Sequence, residues 1–171
     1  MDFGKKTELM KKAYDRGVMY EQTFRGCAQC TVAAVGDVTG KKSDELFRAA
    51  NGFAAGMALM GDGVCGGYSG GLLSLGLYAG RRREFFDGDQ DEKNLIILMG
   101  QKLHQKAIEV YGSVICHNIQ KEIFGQAFHL YDPPQKEAFE AAGAHNPDKC
   151  PAVVGAFSAW TVEILFDHGF L

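Results

Sequence analysis

Apolar residues recur at helical spacing almost from the start of this chain. Met10, Ala13, Tyr14, Gly17 and Val18 fall at i, i+3, i+4, i+7 and i+8, with lysines and acids on the opposite face. That pattern predicts an amphipathic helix over residues 5–20. From Gly26 the signal is mixed. Thr31-Val32-Ala33-Ala34-Val35 suits a strand by composition, while Cys27, Thr31, Ala34 and Val38 follow a helical stripe. Nothing nearby offers a strand to pair with, so a helix is expected. Gly40-Lys41-Lys42-Ser43 makes a turn, with Ser43 placed to cap a helix and Asp44 and Glu45 favourable in its first turn. Leu46, Ala49, Ala50, Phe53 and Ala54 form the expected buried face.

The stretch from Gly61 to Gly71 interrupts this regularity: six of its eleven residues are glycine, with Cys65 in the middle. Glycine gives positive φ and lets the main chain approach a bulky group. The apolar run Leu72 to Gly80 that follows reads as a buried helix, closed by Gly80, with Arg81 to Arg83 suited to a helix C-terminus. Asp87 to Asp91 reads as a polar connector. Residues 92–112 predict a helix with Ile96, Met99, Leu103, Ala107 and Val110 on one side. Ser113 can cap a short helix ending near Phe124, and Pro133-Pro134 breaks the chain. Gln135 to Gly143 is expected as a short surface helix, and Ala144 to Lys149 as a loop. The last helix begins at Cys150-Pro151, with proline suited to its first position, and carries the stripe Val153, Phe157, Trp160, Ile164 and His168. The expected architecture is all-α: one domain over residues 1–171, a multi-helix bundle with a glycine-rich loop at its functional centre.

Charge narrows the function classes. A net charge of −3 lacks the basic footprint of a nucleic-acid binder. The chain starts without the apolar segment of a secretory signal, and Arg81-Arg82-Arg83-Glu84-Phe85-Phe86, though similar to a twin-arginine motif, is internal. The apolar runs fall short of the roughly 20 residues of a membrane span. A cytoplasmic protein is expected, and the many aromatic residues are compatible with a homodimer.

Cysteine is the informative residue type. The five, Cys27, Cys30, Cys65, Cys116 and Cys150, are odd in number and come without signs of secretion, which speaks against a disulfide framework. Cys27, Cys65, Cys116 and Cys150 each fall at the start of a predicted helix. There the backbone supplies unpaired N–H groups and a partial positive charge, which lowers a thiol's pKa and favours the metal-binding thiolate. Four such thiolates could converge on one centre. Inert buried cysteine is the competing explanation for each one singly, and the wide spacings match no compact zinc-finger or ferredoxin run.

Other motifs weaken on inspection. Cys27-Ala28-Gln29-Cys30 is formally C-x-x-C, but its redox reading needs a βαβ context, and Cys30 reads as core. Gly61-Asp62-Gly63-Val64-Cys65-Gly66 satisfies G-x-G-x-x-G without a preceding strand. The five histidines show no paired metal spacing. His117, next to Cys116, is a candidate neighbouring donor, and Arg25 and Lys149 flank Cys27 and Cys150 as candidate counter-charges. No catalytic acid–base or nucleophile set emerges, so an enzymatic role stays open.

Cys65-Gly66-Gly67-Tyr68-Ser69-Gly70 resembles the motif of the C_GCAxxG_C_C family of redox-active proteins, with Gly67 where the motif has alanine. That family carries one cysteine before the motif and two after it, positions matched here by Cys27 and by Cys116 and Cys150, with Cys30 outside the pattern. The resemblance implies a helical protein in which Cys27, Cys65, Cys116 and Cys150 bind a metal centre, with an iron–sulfur cluster expected, as in the related domain of split-Soret cytochromes. On that view bare backbone at Gly63, Gly66 and Gly67 leaves room for a [2Fe–2S] or [4Fe–4S] core. The implied role is electron transfer or redox sensing with a redox partner the sequence does not identify. Two alternatives stand beside it: a thiol–disulfide oxidoreductase using Cys27 and Cys30, and a structural four-cysteine zinc protein.

Overall fold

The computed structural model describes residues 2–87 and 90–171, and over these the chain is all-α with no strand beyond one isolated bridge. Eight helices follow in order: α1 (Phe3–Phe24), α2 (Cys27–Thr39), α3 (Asp44–Ala49), α4 (Gly66–Ala79), α5 (Gln90–Tyr111), α6 (Cys116–Phe124), α7 (Pro133–Ala141) and α8 (Cys150–Asp167). The segment 26–38 is helical, as its stripe predicts. Ser43 caps α3, its Oγ accepting from the Leu46 N–H at 3.1 Å.

Three boundaries differ from the sequence expectation. The helix expected from Leu72 starts six residues earlier, so Gly66, Gly67, Gly70 and Gly71 lie inside α4 rather than in a loop. Pro133 and Pro134 open α7 rather than break the chain, because a helix start has no use for the missing N–H. Ser113 stands three residues ahead of α6, bonding the Ile115 N–H at 3.0 Å. Of the expected connector, residues 88 and 89 lie outside the described residues, and Gln90 and Asp91 already belong to α5.

The core is built around α8. Val154, Phe157, Val162 and Leu165 of this helix are almost inaccessible, as are Leu75 of α4 and Met99 and Leu103 of α5. By length and composition α8 could cross a membrane, and it is the only such helix among the described residues; two-thirds of it is buried inside the fold, as in the core helix of a folded domain. Small residues set the spacing. A Cβ on Gly17 of α1 would lie 3.0 Å from the Gly155 Cα, and one on Gly70 of α4 would lie 2.6 Å from the Ala28 carbonyl oxygen of α2. The close helix approach thus needs these glycines. A smaller aromatic core pins α6, α7 and the start of α8. Phe124, Phe128 and Phe139 stack edge to face at 5.5–5.7 Å between ring centres, with Leu130, Ala144 and Cys150 packed beside them. These two cores fix where the helices begin, and the beginnings carry the cysteines.

Candidate metal centre

Each of the four matched cysteines stands at a helix start. Cys27, Cys116 and Cys150 are the first residues of α2, α6 and α8, and Cys65 is the N-cap of α4. Different local devices hold them. Between α1 and α2 the chain turns through positive φ at Arg25 and Gly26, which frees Cys27 to open a new helix. The isolated bridge between Val64 and Ile115 ties Cys65 to Cys116: the Cys65 N–H donates to the Val114 carbonyl at 2.7 Å, and the Cys116 N–H donates to Gly63 at 3.0 Å. Cys150 is held by its N–H on the Ala144 carbonyl at 3.2 Å, and Lys149 reaches back to the Ile123 carbonyl at 2.9 Å.

All four sulfur-bearing residues line one cavity of about 240 Å³, otherwise walled mainly by apolar side chains such as Ile119, Leu130, Val153 and Val154. Polar donors reach the sulfurs. The Ala55 N–H lies 3.3 Å from Cys27 Sγ, Gln120 Nε2 lies 3.5 Å from Cys116 Sγ, and the Gly67 and Tyr68 N–H groups point at the Cys65 thiol. Gln120 is itself buried and anchored, accepting the Phe128 N–H at 2.7 Å. Cys30 does not line the cavity; its thiol meets the Arg25 carbonyl at 3.1 Å.

The helix starts were expected to lower the thiol pKa values, and burial reverses that. Removal from water pushes Cys65 and Cys116 up to about 12, each further opposed by a neighbouring thiol, Cys116 for the first and Cys27 for the second. Cys27 and Cys150 move in the same direction, burial again first, with the other cavity thiols and Glu21 adding to it. Without a cation the four thiols are therefore neutral, and ionising one opposes ionising the next. The arrangement favours thiolates only when positive charge sits among them. Among the described residues no three Cys, His, Asp or Glu side chains are grouped as a ready single-ion site.

The candidate glycines have specific neighbours. A Cβ on Gly66 would lie 2.1 Å from Cys27 Sγ and 2.8 Å from the Ala28 nitrogen, so bare backbone is what brings α4 against the Cys27 sulfur. Gly67 sits under the Phe157 ring, which a Cβ would approach to 2.7 Å; this accounts for glycine where the motif has alanine. Gly63 serves the turn before α4. There Ala55, Gly56, Met57, Ala58 and Leu59 all have positive φ, and a Cβ on Gly63 would lie 2.6 Å from the Gly56 carbonyl oxygen. That left-handed segment brings Ala54, Ala55 and Leu59 into the cavity wall.

Three flanking residues can be placed. His117 packs over Gly61, its Nε2 3.1 Å from the Phe128 carbonyl oxygen, and does not line the cavity. Arg25 does line it, with its guanidinium donating to the Glu21 and Gln22 carbonyls. Glu21 was missed by sequence reasoning. It lines the cavity from α1, is 4% exposed, and leaves Oε2 without a partner. Burial raises its carboxyl to about 7, against the Cys30 thiol and the Arg25 charge. The available signal was its place in the stripe Ala13, Gly17, Glu21, all three buried.

The family model described as "Putative redox-active protein (C_GCAxxG_C_C)" matches residues 26–164. No curated protein and no solved structure matches the chain.

Proposed function

The chain belongs to the C_GCAxxG_C_C family of redox-active proteins, and from that premise we propose that Cys27, Cys65, Cys116 and Cys150 together hold an iron–sulfur cluster, [2Fe–2S] or [4Fe–4S], for electron transfer or redox sensing. The observation that carries this reading is the meeting of four helix-start thiols on one cavity. The residues fit such a group in number and kind, since four cysteine thiolates are its usual ligands. Gly66, whose missing Cβ admits the Cys27 sulfur, supports the fit. When bound, the group would supply one-electron chemistry. The chain's own part is to hold the sulfurs, exclude water with Ile119, Leu130, Val153 and Val154, and offer N–H donors from Ala55, Gly67, Tyr68 and Gln120.

A single zinc at about 2.3 Å from four thiolates is the competing occupant of the same donors, and metal analysis separates the two. The oxidoreductase alternative lacks an activated thiol: burial raises both Cys27 and Cys30, and a reactive cysteine needs the opposite shift. The test is anaerobic purification or reconstitution with iron and sulfide. A brown protein with iron and acid-labile sulfide is expected. A colourless protein carrying one zinc per chain overturns the reading.

A further inference from the structure

One wall of the cavity is a turn rather than a helix. It runs between Phe53 and Gly61, sets Ala54, Ala55 and Leu59 on the cavity, and leaves Met57, Ala58, Leu59 and Met60 exposed to solvent. Leu59 belongs to both sides: it lines the cavity and is 39% exposed, so it stands at the mouth. Five successive residues here, Ala55 to Leu59, have φ between 49° and 75°. Four of them carry a Cβ, and for those the left-handed region is costly. Strain of this kind persists only where the surroundings impose it, and it gathers at clamps and switches.

The turn is closed mostly on itself. The Ala58 N–H donates to the Gly52 carbonyl at 2.9 Å, the Leu59 N–H to Ala54 at 3.2 Å and the Gly61 N–H to Ala55 at 3.0 Å. Among the described residues, the one hydrogen bond that ties 54–60 to a helix runs from the Ala55 N–H to Cys27 Sγ, at 3.3 Å. Ala55 also rests against the aromatic core. The other walls are held more firmly. Gly17 and Gly155 let α1 and α8 interlock, and Phe124, Phe128 and Phe139 pin α6 to α7. Yet Cys65 and Cys116 are only 7% and 8% exposed. Iron and sulfide arriving from solvent cannot meet all four sulfurs unless a wall gives way, and a buried centre needs an entry path. The wall that opens with least loss is the strained, exposed turn.

Resting on the cluster reading above, we infer that residues 54–60 are the gate of the centre. They swing aside to admit iron and sulfide to Cys27, Cys65, Cys116 and Cys150, and close again with the Ala55 N–H on the Cys27 sulfur. The backbone strain keeps the closed form shallow, so that the gate opens without unfolding the helices behind it.

The experiment is amide hydrogen exchange read by mass spectrometry on the full chain, metal-free and reconstituted. It is paired with the rate at which a ferrous-iron chelator strips the reconstituted protein. In the metal-free chain, peptides covering 54–61 should exchange well ahead of α2, α4 and α8; reconstitution should slow 54–61 most. Ala58→Gly relieves one strained position and should slow iron loss about fivefold. Ala55→Pro removes the donor to Cys27 and fixes φ on the wrong side of zero, and should speed iron loss about tenfold or more. Far-UV circular dichroism should be that of the parent in both. A turn as protected as α4 in the metal-free chain overturns the gate, whether or not a cluster forms. So does protection gained mainly in α7, or iron loss at the parent's rate in both variants. A parent that takes up no iron and sulfide sinks the cluster reading and this inference with it.

Discussion

Replacing Gly66 by alanine should separate the demands of the cavity from those of the helix. Gly66 is the first residue of α4, and an added Cβ would lie 2.1 Å from Cys27 Sγ and 2.8 Å from the Ala28 backbone nitrogen. The sulfur can swing, but the nitrogen belongs to α2 and moves only with that helix. Overpacking of this kind costs about 1–3 kcal/mol, set against a gain of at most about 1 kcal/mol from alanine's helix propensity. Gly76, ten residues on in the same helix, is the control: a Cβ there meets nothing within 4 Å. Gly76→Ala should therefore stabilise by up to about 1 kcal/mol, a rise of about 2–4 °C in Tm for a chain of this size. Gly66→Ala should lower Tm and, because Cys27 must leave its place, lose most of the iron taken up on reconstitution. Thermal melts by circular dichroism and iron assays on the two variants decide it. If Gly66→Ala gains stability as Gly76→Ala does and still fills with iron, α2 and α4 do not meet at the Cys27 sulfur, and the cavity as described is wrong.

Three further outcomes are expected. In metal-free protein Glu21 binds its proton more tightly folded than unfolded, about 7 against 4.5; its stabilising contribution is full below about pH 4.5 and is lost as pH rises through 7. Glu21→Gln should therefore gain on the parent as pH rises across that window, by about 3 kcal/mol at pH 8, and denaturant melts at pH 4 and pH 8 that differ by the same amount in both proteins would contradict this. Ala58→Gly should stabilise by on the order of 1 kcal/mol, since Ala58 holds φ 49°, a region costly for any residue with a Cβ; an unchanged or lower Tm would count against the left-handed turn. Because the raised thiols must lose protons to bind a cation, iron uptake on reconstitution, followed by its sulfur-to-iron charge-transfer absorption, should strengthen with pH between 6 and 8; a flat profile would mean that the thiols are already ionised.

Much of the fold was legible because its signals are local. The stripes of α1, α2, α5 and α8, the Ser43 cap and the cysteines at helix starts depend on residues a turn or two apart, and the structure has them where the periodicity puts them. What was hidden depends on distant neighbours. Glu21 became a cavity residue only through the packing of α1 on α8, and a glutamate in an amphipathic helix otherwise reads as a solvated face. The thiol pKa values followed burial rather than the helix ends, and burial at a convergence of four helices is not written in any one of them. The Gly61–Gly71 stretch was visible as a special region, but its glycines do separate things: Gly63 fits the left-handed turn, Gly66 admits a sulfur, and Gly67 admits the Phe157 ring. Pro133-Pro134 reads as a break in sequence because proline stops a helix from within, whereas here it starts one.

The most direct test of the central claim is iron and acid-labile sulfide per chain, measured after identical anaerobic reconstitution in the parent and in five single Cys→Ser variants. The account predicts a full cluster in the parent and in Cys30→Ser, with loss of the chromophore in the variants at Cys27, Cys65, Cys116 and Cys150. A cluster that survives serine at any two of those four positions, or that fails only when Cys30 is replaced, would contradict it.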